Sequence, residues 1–413
     1  PGTLFLVVHV GFAQHQGRLW FERQAINGLR RWSENFARVI IAAPERTGPL
    51  PANYEPLPVV ELDRLGVETV VLPRAYRLSR FLRFRQSVRA TLVRHIDASD
   101  YLCFGLGGLF GDWGAMAALE AHRRGRRFAI WTDRVESSVT RSKIGTGTLR
   151  ERLRASLSFW PMSLLERHVI RRATIGLFHG MDTYEAYAPY CRYPAVVHDI
   201  HLSRAEHISP ARLAEKARQA GEGRLRLIYA GRVDPMKGPQ DWLDVMTRLI
   251  ARGIDGEAEW IGDGSERDAM LAAVASRCLA ERVSFSGYLG DRQLLMEKLR
   301  AAHGFLFCHK TPESPRCLIE ALISGTPIIG YRSAYSGDLI ATHGGGILAP
   351  LHDIAALTDA VARIAGDPSR RRDLIEAAAR DGAAFTDVAV FAHRSALIRT
   401  HAAREVNAPV AAH

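Results

Sequence analysis

Between residues 225 and 330 the chain repeats one pattern: a short, mostly apolar run, a turn carrying glycine or charge, and then helical sequence. The runs are 225–230, 258–261, 283–285, 304–307 and 327–330, and amphipathic stretches such as 240–252 and 266–278 separate them. Runs of this length read as strands buried on both faces, and helices between such strands make a parallel sheet with crossover connections. The first half carries the same pattern less regularly. Strands are expected at 4–10, 38–43, 69–72, 101–104, 128–132 and 195–197, another closes at His179-Gly180, and a helix is expected over 20–32 after a polar loop. Two such sheets in series predict an α/β chain with two Rossmann-like, doubly wound domains facing a cleft at their strand carboxyl ends, where ligands bind. The join falls near 200–222. Domains are therefore expected at 1–205 and 206–385, with a C-terminal helix in 386–413 packing back on the first.

At 413 residues the chain is long enough for two cores. Its 19 Pro and 35 Gly show no period, which excludes collagen-like or low-complexity material. No apolar run is long enough to span a bilayer, and the apolar start 4–8 is too short for a secretory leader. Five scattered cysteines without a Cys-x-x-Cys argue against a disulfide framework or a zinc site. These readings predict a cytoplasmic protein. Charge is lopsided: residues 1–200 hold 28 Lys and Arg against 18 Asp and Glu, the remainder 27 against 26. Either the first half meets something anionic, or its arginines reflect genome composition alone. No nucleic-acid-binding module is visible, so nucleic acid is not expected as a partner.

Candidate chemistry lies just after the strands of the second half. Gly231-Arg232-Val233-Asp234-Pro235-Met236-Lys237-Gly238 follows 225–230. At a strand-to-helix turn a glycine lets backbone approach a ligand and N–H groups point outward. Arg232 and Lys237 add two cations, a set suited to a diphosphate leaving group. Gly262-Asp263-Gly264 is a second turn able to bring N–H groups to a phosphate or base. Then 307–316, Phe-Cys-His-Lys-Thr-Pro-Glu-Ser-Pro-Arg, leads into a helix carrying Glu320-Ala321-Leu322, followed by Gly325-Thr326-Pro327. Carboxylates such as Glu313 and Glu320 can take two neighbouring sugar hydroxyls, one on each oxygen.

In order and spacing these pieces resemble the GT4 family of retaining glycosyltransferases, which have the GT-B fold, over roughly 224–385. The first half resembles the family in arrangement only. The resemblance implies transfer of a sugar, with retention and without a metal, from a UDP-, GDP- or ADP-sugar to an acceptor hydroxyl in cell-envelope, polysaccharide or glycolipid assembly. By the same resemblance Arg232 and Lys237 hold the diphosphate, Glu320 the ribose and Glu313 the transferred sugar. Ser314, Pro315, Arg316, Cys317 and Leu318 complete a diphosphate cradle, Gly231, Gly262 and Gly264 line the donor, and the segment Phe285-Ser286-Gly287-Tyr288 lies where the family grips the base. No cofactor beyond the donor is implied, and no Asp-x-Asp stands at a strand end to hold a metal. One departure is visible. The family's two acids have seven residues between them, whereas Glu313 and Glu320 have six, with Pro312 in the expected place.

In the first half, the loop from His9 to Arg18 is similar to the family's glycine-containing loop near the sugar phosphate, reduced to Gly17 alone. His9, His15 and Arg18 are accordingly expected on the acceptor side, with His179. Asp133 stands where the family often has a histidine, and the resemblance makes it a catalytic candidate that steers an acceptor hydroxyl. The run 105–111 has Phe110 where a dinucleotide fingerprint needs glycine, so no dinucleotide is expected. The stretch 74–95 sets Arg80, Arg83 and Arg94 opposite an apolar side that Arg85 and Arg89 interrupt; 150–172 sets Phe159-Trp160 among Arg150, Arg152, Arg154 and Arg167. Both stretches fit an anionic membrane surface at the inner face of the cell membrane, with a sugar or lipid-linked acceptor; solvated helices packed on the sheet are the plainer alternative. A second functional reading is a catalytically idle nucleotide-sugar-binding or protein-interaction module on the same fold.

Overall fold

The apolar runs of the first half become a sheet whose strands are β1 (Thr3–Val7), β2 (Phe12–His15), β3 (Arg18–Glu22), β4 (Arg38–Arg46), β5 (Tyr54–Pro56), β6 (Val67–Leu72), β7 (Tyr101–Gly105), β8 (Ala129–Thr132), β9 (Ile175–His179) and β10 (Pro194–Val197). The computed structural model describes residues 2–108, 111–146, 148–311 and 313–404. They divide into two units: one holds residues up to 201 and from 387 onward, the other 202–386. The helix Asp387–His401 belongs to the first unit; of the expected C-terminal segment, 405–413 lies outside the described residues.

Seven strands of the first unit run parallel in the order β6-β4-β1-β7-β8-β9-β10. The winding reverses between β1 and β7, and a doubly wound sheet opens its crevice at that switch point. Phe5, Ile40, Leu102, Phe104 and Ile130 share a core with Leu92 and Ile96 of helix Leu78–Ala98 and Ala117, Ala118 and Ala121 of helix Trp113–Arg123.

The expected polar loop and helix over 9–32 fold differently. β2 and β3 form an antiparallel hairpin, and the helix is Arg23–Ser33. Gln16 and Gly17 close the hairpin with φ of 50° and 72°, the two-residue turn whose twist matches that of its strands. Phe12 and Phe21 are buried against each other with ring centroids 4.4 Å apart, while Gln14, His15 and Arg18 are exposed.

The second unit holds β11 (Leu225–Ala230), β12 (Gly256–Ile261), β13 (Val283–Gly287), β14 (Gly304–Phe307), β15 (Ile328–Tyr331) and β16 (Gly346–Ala349). All pair in parallel, in the order β13-β12-β11-β14-β15-β16, so the switch point lies between β11 and β14.

A buried histidine makes this unit acid-sensitive. His303 accepts the backbone N–H of Arg226 on Nδ1 at 3.1 Å, and its Nε2 lies 3.1 Å from the Arg226 guanidinium. Burial, and then the charges of Arg226, Arg371 and Lys216, push the imidazole down to about 3 from its ordinary 6.5. The unfolded chain therefore takes up this proton first. The stability His303 contributes is intact above its unfolded pKa and is lost as pH falls toward the folded one, by up to about 1.4 kcal/mol per pH unit. The urea midpoint is expected to drop through that window, and less steeply in His303→Gln; equal slopes would show that His303 titrates alike in both states.

Candidate functional site

After β11 the chain turns through 231–238 before helix Pro239–Ala251, and backbone bonds pin the turn in place. Gly231 N–H donates to the Ile261 carbonyl (2.9 Å), Val233 N–H to Asp263 (3.1 Å), and Lys310 N–H to Met236 (2.9 Å). Gly238 has φ of 66°, and a Cβ there would sit 2.2 Å from the Cys308 carbonyl oxygen. The turn after β11 and the loop after β14 thereby meet across the switch point. There Lys237 Nζ donates to Glu313 Oε1 at 2.6 Å, with both side chains nearly buried. Removing one member of such a pair strands the other charge away from water.

His309 stands behind Glu313, its Nε2 2.8 Å from the Tyr229 hydroxyl and its Nδ1 3.8 Å from Glu313 Oε1. Burial, and then the Lys237 charge, push this imidazole well below its ordinary range. A neutral ring that accepts from Tyr229 at Nε2 carries its proton on Nδ1, facing the carboxylate. The two cations paired in the sequence reading are thus separated in environment. Lys237 is buried on Glu313, whereas Arg232 is mostly exposed and bound to Asp234 at 2.8 Å.

Helix Arg316–Ile323 starts at Pro315, whose side chain makes no cap. The first-turn amides of a helix lack intrahelical acceptors and favour an anion. Ser314 and Leu318 are buried, and Leu318 N–H already donates to the Pro315 carbonyl at 3.2 Å. Cys317 is held as a thiol by burial, pushed up to about 12. Glu320 is no free helix acid. It accepts from Arg292 at 3.1 Å, and Arg292 also holds Glu206 at 2.8 Å. Pro312 lies outside the described residues; Glu313 closes on Lys237 despite the shortened spacing.

Two donor-side expectations need correction. The N–H of Gly262 donates to Gly287 (2.8 Å), that of Gly264 to the Asp263 carboxylate (2.8 Å), and that of Gly231 to Ile261, so these amides are engaged within the protein. The glycines supply close approach instead: a Cβ on Gly262, whose φ is 148°, would lie 2.0 Å from the Gly231 carbonyl oxygen, and one on Gly264 2.5 Å from that of Val233. Phe285 is a core residue, stacked on Trp260 at 5.8 Å and edge-on to Trp242, so its ring is not available to a base. The exposed ring of that segment is Tyr288, beside Gly287. Sequence reasoning also missed a trio in which buried Asp241 accepts from half-buried Lys310 (2.6 Å) and from the buried Tyr331 hydroxyl (2.7 Å).

In the first unit, His9 follows β1 and Gly107 follows β7 so closely that a Cβ on Gly107 would lie 2.6 Å from the His9 ring. Gly107 and Gly108 donate N–H to Asp112, which also caps helix Trp113–Arg123 through Ala115. The glycine run therefore serves a helix cap; Leu109 and Phe110 lie outside the described residues. Asp133 follows β8 and is 57% exposed, while His179, the last residue of β9, is buried with Nδ1 3.8 Å from Asp133 Oδ1. His198 follows β10, its ring 6.2 Å from that of His179, and burial then the charge of His393 push it down to about 4. Consecutive strand ends thus gather Asp133, His179 and His198. Gly17, His15 and Arg18 do not join them as a loop entering a helix; they form the exposed hairpin tip, where nothing lies within 4 Å of a Gly17 Cβ. Among the described residues, no group of three or more His, Cys, Asp and Glu side chains is arranged to hold a metal ion.

Residues 212–381, most of the second unit, match the family described as Glycosyl transferases group 1. The second unit is a group 1 glycosyltransferase domain. That bears out the GT4 resemblance on the residues that carried it. The chain is 30% identical over 161 residues to 2-deoxystreptamine N-acetyl-D-glucosaminyltransferase of Streptomyces fradiae, covering 38% of each chain. It is 24% identical over 238 residues to alpha-D-kanosaminyltransferase of Streptomyces kanamyceticus, covering 56% of this chain and 60% of the relative. These matches span less than two thirds of the relatives' own length. Beyond the group 1 domain, 97% of the chain follows Anabaena HepE in complex with UDP (all of that chain, 14% identity, TM-score 0.66) and sucrose-phosphate synthase of Thermosynechococcus elongatus (99% of that chain, 16% identity, TM-score 0.68). The likeness gives the fold: GT-B, with two domains.

Proposed function

We propose that the protein is a retaining glycosyltransferase that moves a sugar from a nucleotide sugar to an acceptor hydroxyl. The observation that carries this reading is the buried Lys237–Glu313 pair at the switch point of the group 1 domain, beside the start of the helix that bears Glu320. As the donor's glycosidic bond breaks, negative charge gathers on the leaving diphosphate. Lys237 and the first-turn amides of Arg316 and Cys317 offset that charge, and preorganised charge out of water acts mainly on the transition state. Arg232, exposed and paired with Asp234, reaches the outer phosphate oxygens. Glu313 accepts from hydroxyls of the transferred sugar, and Glu320 from those of the ribose in place of Arg292. The acceptor oxygen bonds to the anomeric carbon on the face the diphosphate leaves, and the leaving phosphate oxygen takes the acceptor's proton, so no dedicated base is required. Asp133, steadied by His179, orients the acceptor hydroxyl.

HepE holds UDP, and the Streptomyces relatives are named for sugar transfer, which makes a UDP-sugar the first donor to test, ahead of GDP- and ADP-sugars. The acceptor class is a sugar or lipid-linked hydroxyl in polysaccharide or glycolipid assembly, reached at an anionic membrane surface from the cytoplasmic side. The exposed arginines Arg80, Arg83 and Arg94 of helix Leu78–Ala98 support that surface. Among the described residues no helix is long and apolar enough to cross a membrane.

A thermal-shift panel of nucleoside diphosphates tests the donor half: a ligand at a hundred times its Kd stabilises by about 2.7 kcal/mol. Glu320→Gln is expected to weaken the stabilising nucleotide by about tenfold or more, since it removes charge-assisted hydrogen bonds; unchanged binding would return Glu320 to a structural role. Turnover is expected to persist in EDTA, because Lys237 and Arg232 carry the charge a metal would otherwise meet. Complete loss, restored by Mg²⁺ or Mn²⁺, would overturn the metal-independent mechanism. Nucleotide binding without transfer or donor hydrolysis would leave an idle binding module.

A further inference from the structure

The helix Leu149–Ile170 of the first unit carries two apolar faces, of which one is packed and one is not. Ala155, Val169 and Ile170 are buried with Glu166, which accepts the N–H and hydroxyl of Ser137 at 2.9 and 2.6 Å. On the other side Leu149, Leu153, Leu157, Trp160 and Leu164 recur at spacings of four, four, three and four, and so form one stripe along the helix. They are between 62% and 84% exposed. Single exposed leucines are ordinary; four in line with an indole mark a contact surface.

Charge selects what the stripe contacts. At helical spacing Arg150 and Arg154 border it on one side and Arg152 on the other. Arg167 and Arg171 continue its line past Leu164, their guanidinium groups over the Tyr190 ring at 4.8 and 5.2 Å. From 149 to 165 the sequence has a single acid, Glu151, which is engaged in a capping box with Thr148. A surface complementary to this face is apolar and anionic at once. We propose that the stripe inserts into the interfacial layer of an anionic bilayer, the leucines and Trp160 at the acyl boundary and the flanking arginines on lipid phosphates. The inference rests on the membrane-facing reading above and adds what cations alone do not supply, an element that enters the lipid.

The full chain is tested by sedimentation with phosphatidylcholine vesicles, alone or with phosphatidylglycerol added. Wild type is expected to prefer the anionic vesicles and to keep part of its binding at high salt, because apolar burial is not screened. The variant Leu153→Ser/Leu157→Ser/Trp160→Ser is expected to bind them at least about tenfold more weakly, with an unchanged circular dichroism spectrum and melting temperature. Brominated acyl chains are expected to quench tryptophan fluorescence in wild type more than in Trp160→Phe. If the triple variant binds like wild type while Arg80→Gln/Arg83→Gln/Arg94→Gln does not, the stripe is overturned and the membrane reading stands. If wild type binds neither vesicle, both fall, and a stripe-dependent dimer in analytical ultracentrifugation would then give the face to a second copy.

Discussion

Lys237→Met is expected to lower turnover by about a hundredfold to a thousandfold, the loss typical of removing one preorganised group from a developing oxyanion. The lysine is held by Glu313 at 2.6 Å and by a turn fixed to two neighbouring loops, so it meets the donor without rearranging the backbone. Its loss acts on charge that appears during the reaction, so kcat is expected to fall more than KM rises. Stability gives a second readout. The single variant leaves Glu313 buried without its cation, a defect worth about 3–5 kcal/mol, whereas Lys237→Met/Glu313→Gln removes both charges and is expected to recover most of the melting temperature but none of the turnover. Activity of the single variant within a few-fold of wild type, by transfer or donor hydrolysis, would sever Lys237 from the chemistry.

Gly238→Ala is expected to be nearly as damaging by a different route. A left-handed backbone costs a residue with a Cβ about 1–2 kcal/mol. At Gly238 that Cβ also falls 2.2 Å from the Cys308 carbonyl oxygen, so the turn bearing Lys237 must part from the loop bearing Glu313. Together these amount to about 3–5 kcal/mol, a fall of roughly 10 °C in melting temperature for a unit this size, with turnover lost alongside. Gly223→Ala is the control. Its φ is also 66°, but the nearest atom is the Arg226 guanidinium, 4.0 Å from the would-be Cβ. Matching losses at both positions would trace the effect to backbone preference alone and remove close packing from the account.

Much of this was legible in the chain because buried parallel strands declare themselves as apolar runs. β11 and β14 begin and end where composition changes, and the motif residues follow at once. Other elements were hidden for local reasons. β16 is a half-buried edge strand, Gly346–Ala349, too short and too glycine-flanked to stand out. The hairpin of β2 and β3 looks like a loop in the sequence because its turn spends a positive φ on Gln16, a residue that does not advertise one. Motif position alone puts Phe285 with the base-gripping segment, whereas the alternation of buried Val283 and Phe285 with exposed Ser284 and Ser286 points its ring inward. Partners were the least accessible. Arg292 lies 28 residues from Glu320, and Glu313 76 from Lys237, and no local pattern announces an encounter across a switch point.

Three charged motif residues of the group 1 domain already have an opposite charge in their own unit: Lys237 has Glu313, Arg232 has Asp234, and Glu320 has Arg292. The cations of these turns are thus balanced by acids within hydrogen-bonding or ion-pairing distance. On the proposed reading donor capture is a swap of partners, in which the incoming ligand outbids resident carboxylates and a resident guanidinium at several points together. Inorganic phosphate offers exchanges only at the cations and a free sugar only at the carboxylates. A nucleoside diphosphate sugar offers all of them, so the resident pairs discriminate against small anions, and donor affinity is expected to respond only weakly to ionic strength.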